Sequence, residues 1–297
     1  MSEAYDPAFR FPEAGKRERG SRCINENIRK EKNMKNVIVI TGASSGIGKE
    51  FAVQLDKTEK ADEIWVLARR LDRLEKLRGE LKTKVVPVAA DLSTAEGIAV
   101  YAEKLVAEKP NVTILANCSG FGKFGHIEKI PLEQELNMID LNCKAPVAMI
   151  DRTLPYMERG GRIVNVASCA GFQPIPYINV YAASKSFLLS YSRALARELA
   201  YRGISVLAVC PFWTKTEFFD RAIEPSEKTV VVKYDVLYRP EDVVRQALKD
   251  MRKGKDISVY GKINRLQKFA TKVLPHSLVM KIWMKKEKLD GTPEMRN

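Results

Sequence analysis

The sequence predicts an α/β fold in which helices cover both faces of a doubly wound parallel sheet. From Val37 onward, short runs rich in β-branched residues alternate with longer helical patterns, as in chains that wind strand and helix in turn. Such runs are typical of strands in a sheet buried on both faces. With 297 residues, 45% of them hydrophobic, the chain has enough apolar material for one large core.

Seven runs are predicted strands, and the helices between them indicate a Rossmann-like sheet. The predicted strands are residues 37–41, 63–68, 84–89, 112–117, 162–167, 204–210 and 257–260. Residues 211–240 break this rhythm, with three prolines and no clear periodicity. We expect an insertion there that forms a lid or a pocket wall.

The net charge of +13 lies mainly at the two ends of the chain, since residues 1–36 and 262–297 together hold +9 of it. The middle, residues 37–261, carries only about +4, which is ordinary for an enzyme. Basic ends on a nearly neutral body indicate appendages rather than a nucleic-acid-binding face. We therefore divide the chain into an N-terminal extension, 1–36, a core domain, 37–261, and a basic amphipathic C-terminal extension, 262–297.

Both extensions carry apolar side chains that predict docking. In the N-terminal extension, Tyr5, Phe9 and Phe11 lie around two prolines, which suits an extended path over a surface groove, and Ile24 and Ile28 suit one helical face against the core or a neighbouring subunit; a disordered tail is the alternative. The C-terminal extension has apolar residues at near-helical spacing among lysines: Ile263, Leu266, Phe269, Ala270, Val273, Leu278, Ile282 and Trp283. We expect this stripe to pack on its own protein or a sister subunit, with a membrane surface as the alternative.

Several features point to the cytoplasm. No apolar run approaches the roughly 20 residues of a membrane-spanning helix, and the first thirty residues lack the apolar stretch of a secretory signal. The five cysteines show no Cys-x-x-Cys spacing, and the chain has only two histidines. We expect reduced thiols and no metal site.

A glycine-rich turn follows the first predicted strand and opens a helix. It reads Thr41, Gly42, Ala43, Ser44, Ser45, Gly46, Ile47 and Gly48. Glycines let the backbone approach a ligand, and the helix start offers free N–H groups and partial positive charge to a pyrophosphate. A dinucleotide is the ligand that this arrangement suits.

The end of the second predicted strand bears on the choice of cofactor. An NAD site usually has a carboxylate there that binds the ribose 2′-hydroxyl, but Arg69 and Arg70 stand here instead. Arginines at this position favour the 2′-phosphate of NADP(H). The alternative is a solvated pair of arginines at the start of a helix.

Three residues form a candidate catalytic group. Tyr181 and Lys185 are one helical turn apart, and Ser168 follows the fifth predicted strand, at the edge where ligands bind in this architecture. A tyrosine has an ordinary pKa of about 10, and the Lys185 ammonium together with a positively charged nicotinamide ring would lower it. Ser168 could donate a hydrogen bond to a carbonyl oxygen. Together these residues predict carbonyl reduction and its reverse.

These motifs resemble those of the short-chain dehydrogenase/reductase family over residues 37 to about 260. They occur in the family's order: TGASSGIG at 41–48, Asp91, Asn117-Cys118-Ser119-Gly120, Asn142, Ser168 and YAASK at 181–185. The resemblance makes 37–261 a dinucleotide-binding catalytic domain.

The resemblance also implies a role for each matching residue. The implied catalytic residues are Asn142, Ser168, Tyr181 and Lys185, with Asn142 holding a water that connects Lys185 to bulk solvent. The implied cofactor-binding residues are Gly42, Ser44, Ser45, Gly46, Ile47, Gly48, Arg69, Asp91, Leu92, Asn117, Tyr181, Lys185, Pro211, Thr214 and Thr216. Asp91 would anchor the adenine side and Asn117 would stabilise the sheet beside the cofactor.

Two departures from the family pattern stand out. The family's Asn-Asn-Ala-Gly is Asn-Cys-Ser-Gly here, which keeps Asn117 and Gly120. The family's Pro-Gly after the sixth strand is Pro211-Phe212, which raises the question of how the backbone passes this point.

A narrower resemblance is to the 20β-hydroxysteroid dehydrogenases of gut bacteria. It rests on residues 5–46, an unusual leader joined to this core, and on the run from Cys210 to Trp213. This resemblance implies reduction of a steroid ketone at carbon 20, a homotetramer and NADH as cofactor. Arg69 and Arg70 favour NADP(H) instead. We predict NAD(H), with NADP(H) as the alternative indicated by Arg69 and Arg70.

Aromatic residues are expected to flank the pocket and to suit a large apolar substrate, with ordinary core packing of half or more of them as the alternative: Phe172, Tyr177, Phe212, Trp213, Phe218 and Phe219. The predicted function is therefore oxidoreduction of a hydroxysteroid. One alternative is reduction of another hydrophobic ketone or an acyl-carrier thioester. A second is a non-catalytic cofactor-sensing protein whose basic ends bind acidic partners.

Overall fold

Seven parallel strands form the centre of a computed structural model, which describes residues 34–222 and 236–289. The strands are β1 (Asn36–Thr41), β2 (Glu63–Ala68), β3 (Lys84–Ala89), β4 (Asn111–Asn117), β5 (Arg162–Val166), β6 (Ser205–Val209) and β7 (Ile257–Ser258). Their spatial order is β3-β2-β1-β4-β5-β6-β7, and every neighbouring pair is parallel. The predicted fold class is confirmed, and each predicted strand lies within two residues of an observed one.

Helices cover both faces of the sheet, as predicted. They are α1 (Gly46–Thr58), α2 (Leu71–Glu80), α3 (Ala95–Glu108), α4 (Leu132–Ile139), α5 (Ala145–Thr153), α6 (Asn179–Glu198), α7 (Phe218–Ala222), α8 (Pro240–Arg252), α9 (Lys262–Val273) and α10 (His276–Lys286). Helices α1, α2 and α8 pack on one face, and α3, α5 and α6 pack on the other. Each face therefore has its own apolar core.

Strand β1 is apolar from Val37 to Ile40 because both of its faces are covered. Ile38 and Ile40 point into the core beneath α1 and α8, whereas Val37 and Val39 point into the core beneath α3 and α5. Successive side chains of a strand project to opposite faces, so a central strand with both faces covered needs no polar positions. The chain passes from one half of the sheet to the other after β3, and the two halves meet between β1 and β4. A crevice opens at the carboxyl ends of these two strands.

A buried polar ladder links the middle strands to helix α6. Asn117 Nδ2 donates to Asn165 Oδ1 at 2.9 Å, and Asn165 Nδ2 donates to Ser192 Oγ at 2.9 Å. Ser192 Oγ in turn donates to the carbonyl oxygen of Leu188 at 2.6 Å. Because buried polar groups are stable only when hydrogen-bonded, the ladder fixes β4, β5 and α6 in one relative position.

The C-terminal helices differ from expectation. In α9 it is the polar side that packs inward, with Asn264 and Thr271 buried, while Leu266 and Phe269 are 68% and 65% exposed. The expected packing of this stripe on its own chain is therefore wrong for α9 within the described residues. It holds for α10 at Trp283, whose Nε1 donates to the Pro176 carbonyl oxygen at 3.1 Å. Packing on a sister subunit stays a prediction.

The expected docking of Tyr5, Phe9 and Phe11 lies outside the described residues, as does Cys23. From Lys35 onward the described residues belong to one compact unit. The four cysteines of the described ranges carry free thiols, in keeping with the prediction. None of the helices in residues 34–222 and 236–289 combines the length and apolar character needed to cross a membrane.

Replacing Asn165 by Ala should lower the free energy of unfolding by about 2 to 4 kcal/mol, because Asn117 and Ser192 both lose a buried partner. Asn111→Ala is the matched control. Asn111 bonds Asn36 at the solvated end of the next strand, and its loss should cost less than about 1 kcal/mol. Urea unfolding of the two variants measures the difference. Equal destabilisation by both would contradict the structural role of the ladder.

Candidate active site

A cavity of about 800 Å³ opens at the carboxyl ends of the strands, where the two halves of the sheet meet between β1 and β4. Nearly all predicted site residues line it: Gly42, Ser44, Ser45, Gly46, Ile47, Gly48, Arg69, Asp91, Leu92, Ser168, Tyr181, Lys185, Pro211, Thr214 and Thr216. The sequence motifs therefore converge on a single cleft, although they are spread over more than 170 residues.

The glycine-rich turn fits the phosphates of a dinucleotide. Gly42 has a φ of +65°, and a Cβ there would lie 2.9 Å from the backbone nitrogen of Ser119. A Cβ on Gly48 would lie 2.3 Å from the carbonyl oxygen of Gly42. Both positions need glycine, one for its backbone conformation and both for the close approach. The turn thereby brings the first backbone N–H groups of α1 to the cavity wall.

Thr41 joins the turn to the next part of the wall. Its Oγ1 accepts hydrogen bonds from the backbone nitrogens of Cys118 and Ser119, both at 3.0 Å. These two residues follow β4, the strand beside β1. A single hydroxyl therefore holds together the two strand ends that flank the crevice.

Two predicted site residues, Asn117 and Asn142, lie behind the cavity wall instead of on it. Asn117 points into the polar ladder of the sheet. Asn142 lies in a π-helical turn, Asp140–Lys144, a geometry that is frequent at functional sites. Its Nδ2 donates to the Phe121 carbonyl oxygen at 2.9 Å, and its Oδ1 accepts from the Phe121 nitrogen at 3.1 Å. The described contacts make Asn142 a support of the loop after β4.

The adenosine side of the cleft is built by the ends of β2 and β3. Asp91 Oδ1 accepts from Ser93 through its backbone nitrogen at 3.0 Å and its hydroxyl at 2.7 Å. The other carboxylate oxygen lies 3.7 Å from Arg69 Nη1. Leu92 is buried beside them and lines the same wall. Charged and apolar groups are thus adjacent where an adenosine would bind.

Ser168, Tyr181 and Lys185 come together at the other end of the cleft. The Ser168 hydroxyl hydrogen-bonds to the Tyr181 phenol and accepts from the Ala170 nitrogen at 3.1 Å. Lys185 Nζ donates to the carbonyl oxygen of Val166 at 2.8 Å, at the end of β5, and lies 5.7 Å from the centre of the Tyr181 ring. All three side chains are at least nine-tenths buried.

The pKa of Tyr181 differs from the sequence-based expectation. Burial raises it to about 12, although the hydrogen bond with Ser168 acts in the opposite direction. The expected lowering is therefore not found for the chain's own groups, because desolvation has the largest effect on this phenol, and the added effect of a nicotinamide ring stays a prediction. Burial also lowers the pKa of Lys185 to about 8. The phenol is thus protonated at neutral pH and can donate its proton.

The departure at Phe212 is accommodated without strain. Among described residues other than glycine, a positive φ occurs only at Lys109, Tyr177 and Lys288, so Phe212 avoids the left-handed region. Its ring packs 5.6 Å from that of Trp213. The carbonyl oxygen of Pro211 accepts a hydrogen bond from the Cys169 nitrogen at 2.9 Å, which fixes the backbone at this point.

Four of the six predicted pocket aromatics line the cavity, namely Phe212, Trp213, Phe218 and Phe219. The ring centres of Phe218 and Tyr181 are 5.4 Å apart. Phe172 and Tyr177 do not line the cavity, so the expectation that they flank it is wrong. Phe172 faces the ammonium of Lys268, and the Tyr177 ring packs against His126. The described part of the 211–240 insertion forms a wall of the cavity, as expected.

Several lining residues were not foreseen from the sequence. They include Phe121, Gln173, Glu217, Gln267, Thr271, Trp283 and Lys286. Gln173 is 7% exposed, and its Oε1 is buried without a hydrogen-bond partner. Gln267 and Thr271 lie in helix α9, and Trp283 and Lys286 lie in helix α10. All four belong to the predicted C-terminal extension, 262–297. Of these four, only Trp283 was singled out from the sequence, as part of the apolar stripe expected to pack on the protein.

The cleft has the parts of a dinucleotide-dependent oxidoreductase: a phosphate-binding turn, an adenosine wall and a buried hydroxyl pair. Residues 36–227 match the family model described as short chain dehydrogenase. The chain therefore belongs to the short-chain dehydrogenase/reductase family. It is an oxidoreductase that uses a nicotinamide cofactor.

Relatives with assigned activities reduce or oxidise different substrates. The chain is 31% identical over 219 residues to the 3-oxoacyl-[acyl-carrier-protein] reductase FabG of Thermotoga maritima, covering 71% of this chain and 88% of the relative. It is 33% identical over 188 residues to the NADP-dependent 3-hydroxy acid dehydrogenase of Schizosaccharomyces pombe, covering 61% and 72%. These relatives establish the family and leave the substrate open.

Solved structures share the fold. A short-chain dehydrogenase from Sphingobium yanoikuyae in complex with NADPH aligns with a TM-score of 0.66 at 26% identity, covering 88% of this chain and 98% of that one. A 7beta-hydroxysteroid dehydrogenase aligns with a TM-score of 0.71 at 20% identity, covering 84% and 96%. The second likeness supports the fold alone, because its identity is low.

The rate of carbonyl reduction should fall as the pH rises through about 8. Burial lowers the pKa of Lys185 to about 8, so its ammonium loses its charge in this range. The profile of kcat/KM for carbonyl reduction against pH measures this ionisation in the free enzyme. Circular dichroism over the same range distinguishes it from unfolding. A rate constant that stays level up to pH about 10, near the ordinary pKa of lysine, would contradict this account.

Proposed function

We propose that this enzyme reduces the carbon-20 ketone of a cortisol-like steroid to the 20β-alcohol with NADH. The observation that carries the proposal is the buried hydroxyl pair of Ser168 and Tyr181 at the end of a cavity walled by aromatic rings. A rigid apolar ring system can fill such a wall while its ketone reaches the two hydroxyls.

Tyr181 is the proton donor in this proposal. Its phenol is protonated at neutral pH, because burial raises the pKa to about 12. As negative charge gathers on the substrate's carbonyl oxygen, the phenol O–H transfers its proton to that oxygen. The ring is held in place by Phe124 and Phe218, whose centres lie 6.3 and 5.4 Å away.

Ser168, Lys185 and Asn142 support this transfer. The Ser168 hydroxyl donates a hydrogen bond to the same carbonyl oxygen, which stabilises charge in the transition state by about 2 to 4 kcal/mol. The Lys185 ammonium, beside the phenol ring, favours the phenolate that remains after proton transfer. Asn142 acts as a positioning residue, since it holds the loop at Phe121 through two hydrogen bonds.

The cofactor supplies a hydride for the carbonyl carbon when it is bound. The residues that would hold it are the glycine-rich turn at its phosphates, Asp91 and Leu92 at its adenine, and Lys185 at its nicotinamide ribose. Thr214 and Thr216 line the cleft between these ends. Arg69 is engaged with Asp91 at 3.7 Å, which leaves it less available to a 2′-phosphate and supports the choice of NADH.

The substrate class is supported by the apolar residues that close the cavity. Ile175 and Ile178 lie on one side, and Leu274, Ile282 and Trp283 of the C-terminal segment lie on another. The sequence resemblance to 20β-hydroxysteroid dehydrogenases points the same way. The rival is reduction of an acyl-carrier thioester, which the relative from Thermotoga maritima favours. The cytoplasmic location and the homotetramer remain predictions.

A panel of ketones tests the proposal. Cortisol and other 20-ketosteroids, 3- and 7-ketosteroids and a 3-oxoacyl thioester are each assayed with NADH and NADPH, and the product stereochemistry is resolved. We expect a 20β-alcohol with NADH as the preferred cofactor. Failure with every 20-ketosteroid beside rapid turnover of the thioester would favour the rival.

Two variants belong to the same experiment. Tyr181→Phe should keep cofactor binding and reduce turnover at least ~100-fold, because general acid catalysis is lost. Tyr201→Phe, the same change at an exposed tyrosine that does not line the cavity, is the control and should keep the turnover of the parent. Near-normal turnover in Tyr181→Phe would remove Tyr181 as the proton donor. No turnover of any carbonyl by the parent protein would favour a cofactor-sensing role.

A further inference from the structure

Arg70 joins two parts of the cleft that are distant in the sequence. Its Nη2 donates to the hydroxyls of Ser44 and Ser45 in the glycine-rich turn, at 3.0 and 3.2 Å. Its Nη1 lies 3.0 Å from a carboxylate oxygen of Glu217, which follows strand β6. Arg70 is therefore held between the phosphate turn and an acidic side chain.

Glu217 is bound by two arginines at once. Its second carboxylate oxygen accepts a hydrogen bond from Arg73, in the first turn of helix α2. Arg70 and Glu217 both line the cavity beside Ser44 and Ser45. The hydrogen bond from Arg73 lowers the pKa of Glu217, so the carboxylate is charged at neutral pH. A fixed negative charge thus occupies the space between two guanidinium groups.

This arrangement occupies the groups that a 2′-phosphate would need. Arg69 and Arg70 directly follow strand β2, with no carboxylate at its end, a pattern that favours NADP(H). The serine hydroxyls and an arginine fork are also suitable ligands for a phosphate. Here, however, Arg69 faces Asp91, and Arg70 faces Glu217. Each arginine at the end of β2 already has an internal carboxylate.

We propose that Glu217 determines cofactor selectivity by holding Arg70 and excluding the 2′-phosphate of NADP(H) from the serine–arginine site. The inference rests on the proposed use of a nicotinamide dinucleotide and adds the residue that discriminates between its two forms. A 2′-phosphate entering this site meets the Glu217 carboxylate and must compete with it for Arg70. The 2′-hydroxyl of NAD(H) carries no charge and meets no such repulsion.

Each ion pair is partly exposed, so its contribution to stability is small. The selectivity comes from the difference between two ligands, one of which brings a dianion to within contact distance of a carboxylate. Removing the charge of Glu217 while keeping its shape should therefore affect the two ligands unequally.

The test uses two fragments that differ only in the 2′-phosphate, adenosine 2′,5′-bisphosphate and 5′-AMP. Their dissociation constants are measured by calorimetry for the full chain and for Glu217→Gln. We expect the variant to bind the bisphosphate about tenfold more tightly and 5′-AMP within about twofold of the parent. The gain should shrink at high ionic strength, because salt screens exposed charges.

Glu80→Gln is the matched control. Glu80 is also an exposed, paired glutamate, 2.9 Å from Lys49, but it does not line the cavity. This variant should leave both dissociation constants unchanged. No gain for the bisphosphate in Glu217→Gln, or an equal change for both fragments, would overturn the proposal.

A double variant tests the role of Arg70. In Glu217→Gln with Arg70→Ala, the gain for the bisphosphate should disappear, because the released guanidinium is its ligand. Persistence of the gain would overturn the assignment to Arg70. Fragment binding requires no turnover, so a failed proposal about the steroid leaves this result interpretable. Conversely, NADPH preference in the parent protein, with normal steroid reduction, would contradict the selectivity proposal and the choice of NADH, and would leave the proposed steroid substrate standing.

Discussion

The parallel arrangement of all seven strands is the constraint on which the site depends. Because parallel strands end at the same edge, the turn after β1, the loop after β4 and the serine after β5 meet there although the sequence separates them. The crevice opens where the two halves of the sheet meet, between β1 and β4, and the Thr41 hydroxyl fixes its two sides. Helix α6 then brings Tyr181 and Lys185 against the end of β5, where the polar ladder holds it.

Burial sets the chemistry of this edge. Desolvation raises the pKa of Tyr181 and lowers that of Lys185, so their ordinary values of about 10 and 10.4 move in opposite directions. A protonated phenol beside a serine hydroxyl suits a substrate oxygen that gains negative charge. Low exposure therefore keeps the proton on the phenol, so Tyr181 can hold it for a ketone oxygen throughout the neutral range.

The strands and the glycine-rich turn could be predicted because each depends on residues that are close together in the sequence. The strands follow from apolar runs, and the glycine-rich turn follows from Gly42 and Gly48, where no Cβ fits. Long-range packing decided the rest. Asn117 points away from the cleft because its partner is Asn165, 48 positions along the chain. The polar side of α9 packs inward, with Asn264 and Thr271 buried. The pairing of Arg70 with Glu217 joins residues 147 positions apart, which no local pattern indicates.

Titration of Tyr181 shows whether its phenol keeps its proton in the folded chain. The ultraviolet absorbance of phenolate is followed from neutral pH upward in the parent protein and in Tyr181→Phe, and their difference isolates this one residue. A pKa of about 12 predicts no phenolate from Tyr181 below the ordinary tyrosine value of about 10. A step in the difference spectrum near pH 7 would mean that Tyr181 is ionised in the folded chain. It would contradict the account of a buried, protonated donor.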